Sequence, residues 1–353
     1  MQGHVGVTGL DQARVGSYPM IPPPHVPPTP QVRRTYICRR APGLSQVDGR
    51  LDKSFWRDAP WTEEFVDIQG DIKPRPRFRT RAKLQWDDEC LYIGAEMEEP
   101  HVWATLTERD SIVYHDNDFE VFLNPTGDNH RYYEVEVNAL NTTFDLFLPK
   151  PYRDGGPADH GWDVKGLRSA VHVDGTLNDP ADVDRGWSVE LALPWSAFDR
   201  HGGIKCPPRD GDQWRVNFSR VQWDLEIEDG QYRKIAGRPE HNWVWSPQGV
   251  IDMHRPEQWG YVQFSGRAVT DETGFRADES AAARDALHGV YYAQLAFRNQ
   301  HGRWARTARE LGLGAGLDSQ IELVPTEEGW RASVAGKSQL WHIRQDSLVW
   351  QGP

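Results

Sequence analysis

Three glutamates and a tyrosine in one stretch of this sequence are the residues best suited to bind a ligand. Glu120, Glu134 and Glu136 alternate with apolar residues, and Tyr114 precedes them. Because successive side chains of a β-strand point to opposite faces, the alternation places the glutamates on one face of a sheet. Carboxylates there are suited to accept hydrogen bonds from sugars, to hold calcium or to act as a catalytic pair. The fourth interpretation is a plain solvent-exposed face, on which carboxylates keep ordinary pKa values.

The elements that must position these residues are three successive β-strands. The alternation predicts strands at residues 118–123, 132–138 and 144–148. A turn joins the first two, because residues 124–129 are rich in Pro, Gly, Asn and Asp, which supply the dihedral angles of a chain reversal. The expected sheet has an apolar inner face and an outer face of carboxylate, amide and tyrosine side chains.

The composition favours an all-β protein. The 353 residues include 16 Trp, 11 Tyr and 12 Phe, with 32 Gly and 25 Pro and few long helical patterns. We predict an antiparallel β-sandwich, jelly-roll-like, followed by a small C-terminal α+β unit. Four tryptophans are expected in the core, and they are Trp56, Trp187, Trp195 and Trp259.

Three segments are predicted along the chain. Residues 1–31 form a proline-rich N-terminal arm, because prolines at this density enforce extended backbone without sheet donors. Residues 32–266 form the β-sandwich. Residues 267–353 form the α+β unit, with its main helix at residues 280–298.

Charge and apolar runs exclude some partners. The formal net charge of −12 gives no basic footprint for nucleic acid, and no apolar run reaches the roughly 20 residues that a membrane span needs. Three cysteines, without CxxC spacing, define neither a zinc site nor a disulfide framework. No signal peptide is visible at the N-terminus, which leaves open a cytoplasmic protein or one whose leader is missing.

Several motifs resemble family 9 carbohydrate-binding modules and their wider family-9-like group. The similarity covers about residues 35–265, in the family's order, and rests on the segments 47–61, 84–93, 117–123, 187–195 and 245–260. The resemblance implies a β-sandwich that binds the ends of glycan chains. It also implies structural Ca²⁺, an extracellular or periplasmic location, and attachment to secreted hydrolases.

The resemblance also suggests site residues. The positions that clamp the sugar between aromatic rings fall on Tyr114 and on or beside Met253 and His254, and an acidic position falls on Glu120. An amide position falls on Asn138, and an arginine position falls on Glu136, which reverses the local charge. Three further residues complete the predicted set of ligand-binding residues. Trp223 and Trp245 are candidate aromatic platforms, and Arg255 is the neighbour of His254.

Three functions are compatible with these residues. The first is a non-catalytic protein that binds oligo- or polysaccharide. The second is a glycan hydrolase or lyase on the same sandwich, using Glu120 or Glu136 with His254. The third is a haem-binding electron-transfer module using Met253 and His254, which is disfavoured because adjacent residues cannot approach haem iron from opposite sides.

Overall fold

The computed structural model describes residues 26–41, 43–44, 46–201, 204–267, 274–314, 316–317 and 319–352. Most of the predicted N-terminal arm lies outside these residues. At its end, the amide of Thr29 donates a 3.1 Å hydrogen bond to the carbonyl of Gly249. No helix in the described ranges is long and apolar enough to span a lipid bilayer.

The main body is an antiparallel β-sandwich, as predicted. One layer contains strands β2 (Val66–Asp67), β5 (Asp118–Asn124), β6 (Tyr132–Asn138), β7 (Thr143–Leu148), β10 (Gln213–Gln222), β13 (His241–Val244) and β14 (Gly260–Ser265). The other contains β3 (Thr80–Trp86), β4 (Cys90–Glu98), β8 (Arg168–Asp174) and β9 (Gly186–Pro194). Strand β1 (Thr35–Arg40) is the exception to the antiparallel pairing. It joins the two layers by pairing in parallel with both β14 and β3. A short helix, α1 (Ser54–Arg57), and a hairpin of β11 (Leu225–Glu228) and β12 (Gln231–Lys234) lie outside the layers.

The predicted alternation is confirmed in strands β5 and β6. Val121 lies opposite Val135 and points into the core between the layers, whereas Glu120 lies opposite Glu136 on the outer face. The tryptophans predicted for the core are all buried. Trp56 has no exposed surface, and its indole nitrogen donates a 2.7 Å hydrogen bond to Glu190. The side chains that share each face of strands β5 and β6 were therefore predicted correctly from the sequence periodicity.

The C-terminal elements combine helices with one small sheet. Helix α2 (Ala281–His301) packs on the antiparallel strands β15 (Glu322–Pro325), β16 (Trp330–Ala335), β17 (Leu340–Arg344) and β18 (Val349–Gly352). The short helix α3 (Ala308–Leu311) begins after Thr307, whose hydroxyl accepts a hydrogen bond from the Glu310 amide. Strand β18 was not predicted from the sequence.

Candidate functional site

A cavity of about 420 Å³ lies on the outer face of strands β5 and β6. Three carboxylates of the two strands, Glu120, Glu134 and Glu136, line it together with aromatic and apolar side chains, and Glu240 and Asp252 also line it. Its walls come from connections far apart in sequence, which contribute Ile112, Tyr114, Tyr152 and His254, and from strand β13, which contributes Asn242. We call it the carboxylate cavity.

The outer face around this cavity is buried, which corrects the interpretation of a plain solvent-exposed face. The exposed fraction is 5% for Glu120, 4% for Glu134 and 2% for Glu136. A second apolar cluster covers the face, in which Val113 and Met253 from connections pack against Phe122, Phe144 and neighbouring strand residues. The glutamates therefore lie at the bottom of a covered cavity.

Burial changes the protonation of these carboxyl groups. It raises the pKa of Glu120 to about 7 and raises the pKa of Glu134 and Glu136 well above the usual range, because a charged carboxylate loses hydration in the interior. The negative charge of Glu120 adds to the shift in both neighbours. Asp118, two residues before Glu120 and fully buried, has a pKa raised by burial and then by the Glu120 charge.

Tyr114 forms part of the wall, on a single helical turn at Val113–His115. Its amide donates a 3.0 Å hydrogen bond to Glu136, and its carbonyl accepts one of 3.0 Å from the indole of Trp223. The ring is half-buried, and one side of it lines the cavity. The tyrosine is thus held at the backbone, and its ring, which contacts His115 edge-on, lines the cavity.

His254 lies on the opposite connection and also lines the cavity. Its Nδ1 lies 3.0 Å from the hydroxyl of Tyr132, and burial lowers its pKa to about 4. The imidazole is therefore neutral at pH 7, and can exchange one hydrogen bond with a hydroxyl group. Met253 beside it is buried in the covering cluster.

Three other predicted ligand residues do not line the carboxylate cavity. Trp245 is fully buried in the core, where its indole donates a 3.0 Å hydrogen bond to Glu63, so it is not an exposed platform. Arg255 is fully buried and pairs with Asp252 at 2.9 Å. Trp223 is half-buried, and the Lys234 ammonium lies 3.7 Å from the centre of its ring.

Asn138 is also placed differently from the prediction, since it serves the scaffold. Its amide group donates hydrogen bonds to Asp116 at 3.0 Å and to the Leu106 carbonyl at 2.8 Å. Asp116 in turn accepts hydrogen bonds from the amides of Thr105 and Leu106. The amide thus anchors the segment that leads to Tyr114.

Sequence reasoning missed Asp118, Phe122 and Tyr152 as parts of this region. Asp118 had a usable signal, because it precedes Glu120 by two residues in a strand and so shares its face. Tyr152 had none, because it comes from a separate loop that only the tertiary fold brings to the cavity.

A larger groove, of about 880 Å³, lies on the outer face of the other layer. It is lined by Trp61, Glu96, His172 and neighbouring residues. Its ionic groups are mutually paired, since Glu96 contacts both Arg79 and Arg81, and the Trp61 ring is covered by Arg81 and Lys83. The smaller cavity, with unpaired polar groups and an aromatic wall, is the better candidate for a binding site.

The fold and this site together define a β-sandwich with a concave, mixed polar and aromatic cavity on one sheet. Residues 47–206 match the family described as carbohydrate family 9 binding domain-like. This part of the chain is therefore similar to that family, and the match includes Tyr114 and the cavity carboxylates.

Two further comparisons concern individual proteins. Endo-1,4-beta-xylanase C of Paenibacillus barcinonensis is 26% identical over 103 residues, which are 29% of this chain and 9% of the xylanase. A candidate carbohydrate-binding protein from Bacteroides uniformis has the same fold, with a TM-score of 0.50 at 18% identity, over 66% of this chain and all of its own. A family 9 module from Caldicellulosiruptor kristjanssonii, solved with cellotriose, gives a TM-score of 0.43 at 16% identity, over 69% of this chain and all of that module.

Proposed function

We propose that this protein binds carbohydrate in the carboxylate cavity and takes part in recognition or breakdown of a polysaccharide. The observation that carries the proposal is the cavity itself, which combines aromatic walls with buried acceptors inside a family-9-like domain. Sugars match this combination, because their C–H faces pack on aromatic rings while their hydroxyls donate to carboxylates. The partial similarity to a xylanase supports a polysaccharide context and, with it, a location outside the cytoplasm.

The ligand would enter the cavity with a chain end. Its volume of about 420 Å³ lies near the lower end of the roughly 300–1,000 Å³ typical of small-molecule sites, which favours a few sugar units over a long chain segment. Tyr114 would supply the stacking surface, while Glu120, Glu136 and His254 would accept or exchange hydrogen bonds with hydroxyls. Trp223, Trp245, Asn138 and Arg255 would then act through the scaffold.

The test is calorimetric titration of the protein with glucose, cellotriose and xylotriose. We expect Tyr114→Ala to weaken binding about fivefold, since stacking on one ring is worth about 1 kcal/mol, with little loss of stability. Trp61→Ala, in the larger groove, is the matched control and should leave affinity unchanged. Loss of binding in Trp61→Ala with normal binding in Tyr114→Ala would move the site to that groove.

A product-release assay on the same sugars separates the binding protein from the glycan-active enzyme. The elevated pKa of Glu120, about 7 through burial, is the observation that favours the enzyme, because general acids need such a value. Binding without release supports the binding protein. Release that Glu120→Gln abolishes would establish the enzyme instead.

A further inference from the structure

The carboxylate cavity contains a set of oxygen atoms with the spacing of a cation site. Asp118, Glu120 and Glu136 each place one carboxylate oxygen so that all of these atoms lie within 4.8 Å of one another. Two ligands on opposite sides of Ca²⁺ are separated by about 4.8 Å, which is twice a Ca–O distance of about 2.4 Å. One ion can therefore contact all three side chains.

A fourth carboxylate beside this group supports the same conclusion independently. Glu134 is not one of the three, yet it is 4% exposed, lines the cavity, and its Oε2 has no hydrogen-bond partner. Oδ2 of Asp118 also has none. Glu134 shares a side-chain hydrogen bond with Glu136, so Oε2 of Glu134 and Oδ2 of Asp118 are the carboxylate oxygens of this cluster that remain unsatisfied.

The cluster also lacks a protein cation. Among the residues that the structure describes, the ion pairs formed by lysine, arginine and histidine do not include Asp118, Glu120, Glu134 or Glu136. The other acidic trio of the described chain differs, because Arg109 contacts Asp110, Asp145 and Asp163 at 3.6, 2.7 and 2.9 Å. Among the described residues, the cavity cluster thus brings four buried carboxyl groups together without an ion-pair partner.

We propose that Asp118, Glu120 and Glu136 bind a divalent cation at the floor of the carboxylate cavity, with Glu134 adjacent to it, and that the cation is Ca²⁺. The donors are all carboxylate oxygens, which hard cations prefer, whereas zinc and copper sites use imidazole or thiolate. Ca²⁺ is favoured over Mg²⁺ because it accepts irregular, spacious oxygen sets and loses its water more readily.

The cation would also take part in sugar recognition, a step that rests on the proposed function. Ca²⁺ takes about six to eight oxygen ligands, and the three carboxylates leave coordination positions free. Glu120 and Glu136 line the cavity, so those positions face the space that a ligand enters. Vicinal hydroxyls of a sugar are oxygen donors suited to complete the shell.

The metal site is tested without sugar. The EDTA-treated, dialysed full chain is titrated with CaCl₂ at pH 8 by calorimetry, and Tb³⁺ luminescence is recorded, because Tyr114 lies close enough to the site to sensitise it. We expect one bound ion, and about tenfold or greater weakening in Glu136→Gln. Asp163→Asn, in the trio that Arg109 neutralises, is the matched control and should bind as the unmodified protein does.

Misfolding of the variant is excluded by measuring thermal unfolding in EDTA. Ca²⁺ should raise the melting temperature of the unmodified protein and of Asp163→Asn, but not of Glu136→Gln, because a ligand stabilises the folded state that binds it. Absence of heat, luminescence and a melting shift overturns the proposal. Equal Ca²⁺ affinity in Glu136→Gln overturns it as well.

Sugar binding is then compared with and without EDTA. Loss of sugar affinity in EDTA supports recognition through the cation. Unchanged affinity overturns that step and leaves both the metal site and carbohydrate binding standing. Failure to bind any sugar, with Ca²⁺ binding intact, contradicts the proposed function alone.

Discussion

At the scale of single residues, burial gives two glutamates opposite roles. Glu99 is 2% exposed and pairs with the buried guanidinium of Arg220 at 2.9 Å. Glu134 is equally buried but faces other carboxylates, and its Oε2 has no partner. A buried charge is tolerated when it is paired and is costly when it is not. The two residues should therefore respond in opposite directions to the same substitution.

We expect Glu134→Gln to raise the free energy of unfolding in EDTA by on the order of 1 kcal/mol. Burial raises the pKa of Glu134 well above its usual range, so folding at pH 7.5 must either bury the charge or take up a proton, and glutamine removes that cost. Glu99→Gln should lower the free energy of unfolding by about 3 kcal/mol, because it leaves the Arg220 charge unpaired. Urea unfolding at pH 7.5 measures both. Destabilisation by both variants would show that Glu134 has a compensating partner.

At the scale of elements, strand alternation could be predicted from the sequence but the environment of each face could not. The period of two places Glu120, Glu134 and Glu136 on one face whatever surrounds them. Whether that face is solvated depends on connections such as the Tyr114 turn and the Met253 segment, whose packing has no local signal. For the same reason Asn138, read as a ligand residue, proved to be an anchor.

We expect Asn138→Ala to lower the free energy of unfolding by about 2 kcal/mol, because it removes two hydrogen bonds to the 105–116 segment and leaves the buried Thr142 amide without its acceptor. Sugar affinity should fall with it, since the same segment carries Tyr114. Tyr114→Ala should lower affinity alone. Chemical denaturation and calorimetry on both variants separate the effects, with Asn299→Ala on the exposed side of α2 as the control.

At the scale of the whole molecule, the C-terminal elements are docked on the sandwich through buried polar contacts. Arg153 pairs with Glu257 at 2.9 Å and donates a 3.0 Å hydrogen bond to the carbonyl of His254, a residue of the cavity wall. The same glutamate accepts a hydrogen bond from Tyr292 of α2. Such contacts between distant segments have no signature in sequence, so the unit was predicted but its docking to the cavity loop was not.

This docking should make stability depend on pH through His288 of α2. Burial lowers its pKa to about 4, opposed by the charges of Glu257 and Asp285 and assisted by Arg33 and Arg153. Its Nε2 lies 2.7 Å from the amide nitrogen of Asn129 on the sandwich and accepts its hydrogen bond only while unprotonated. The unfolded chain, with an ordinary histidine pKa of about 6.5, binds the proton first as pH falls.

The stabilising contribution of His288 should therefore be complete above about pH 6.5 and be lost between about pH 6.5 and 4, by on the order of 2–3 kcal/mol. The buried carboxyl groups with raised pKa act in the opposite direction, so the difference between the unmodified protein and His288→Gln isolates this contribution. The contribution of Glu257, whose pKa is lowered to about 2 by Arg153 against the effect of burial, is lost at lower pH, between about 4.5 and 2. Thermal unfolding across pH 4–8 measures the loss of stability between about pH 6.5 and 4.

The variant His288→Gln keeps an acceptor for Asn129 but does not titrate, so its stability should decline less steeply as pH falls. The decline that remains in this variant is assigned to His254, whose pKa is also about 4. His301→Gln, exposed at the end of α2, should reproduce the unmodified profile, and an equally steep decline in His288→Gln would assign the pH dependence to other groups.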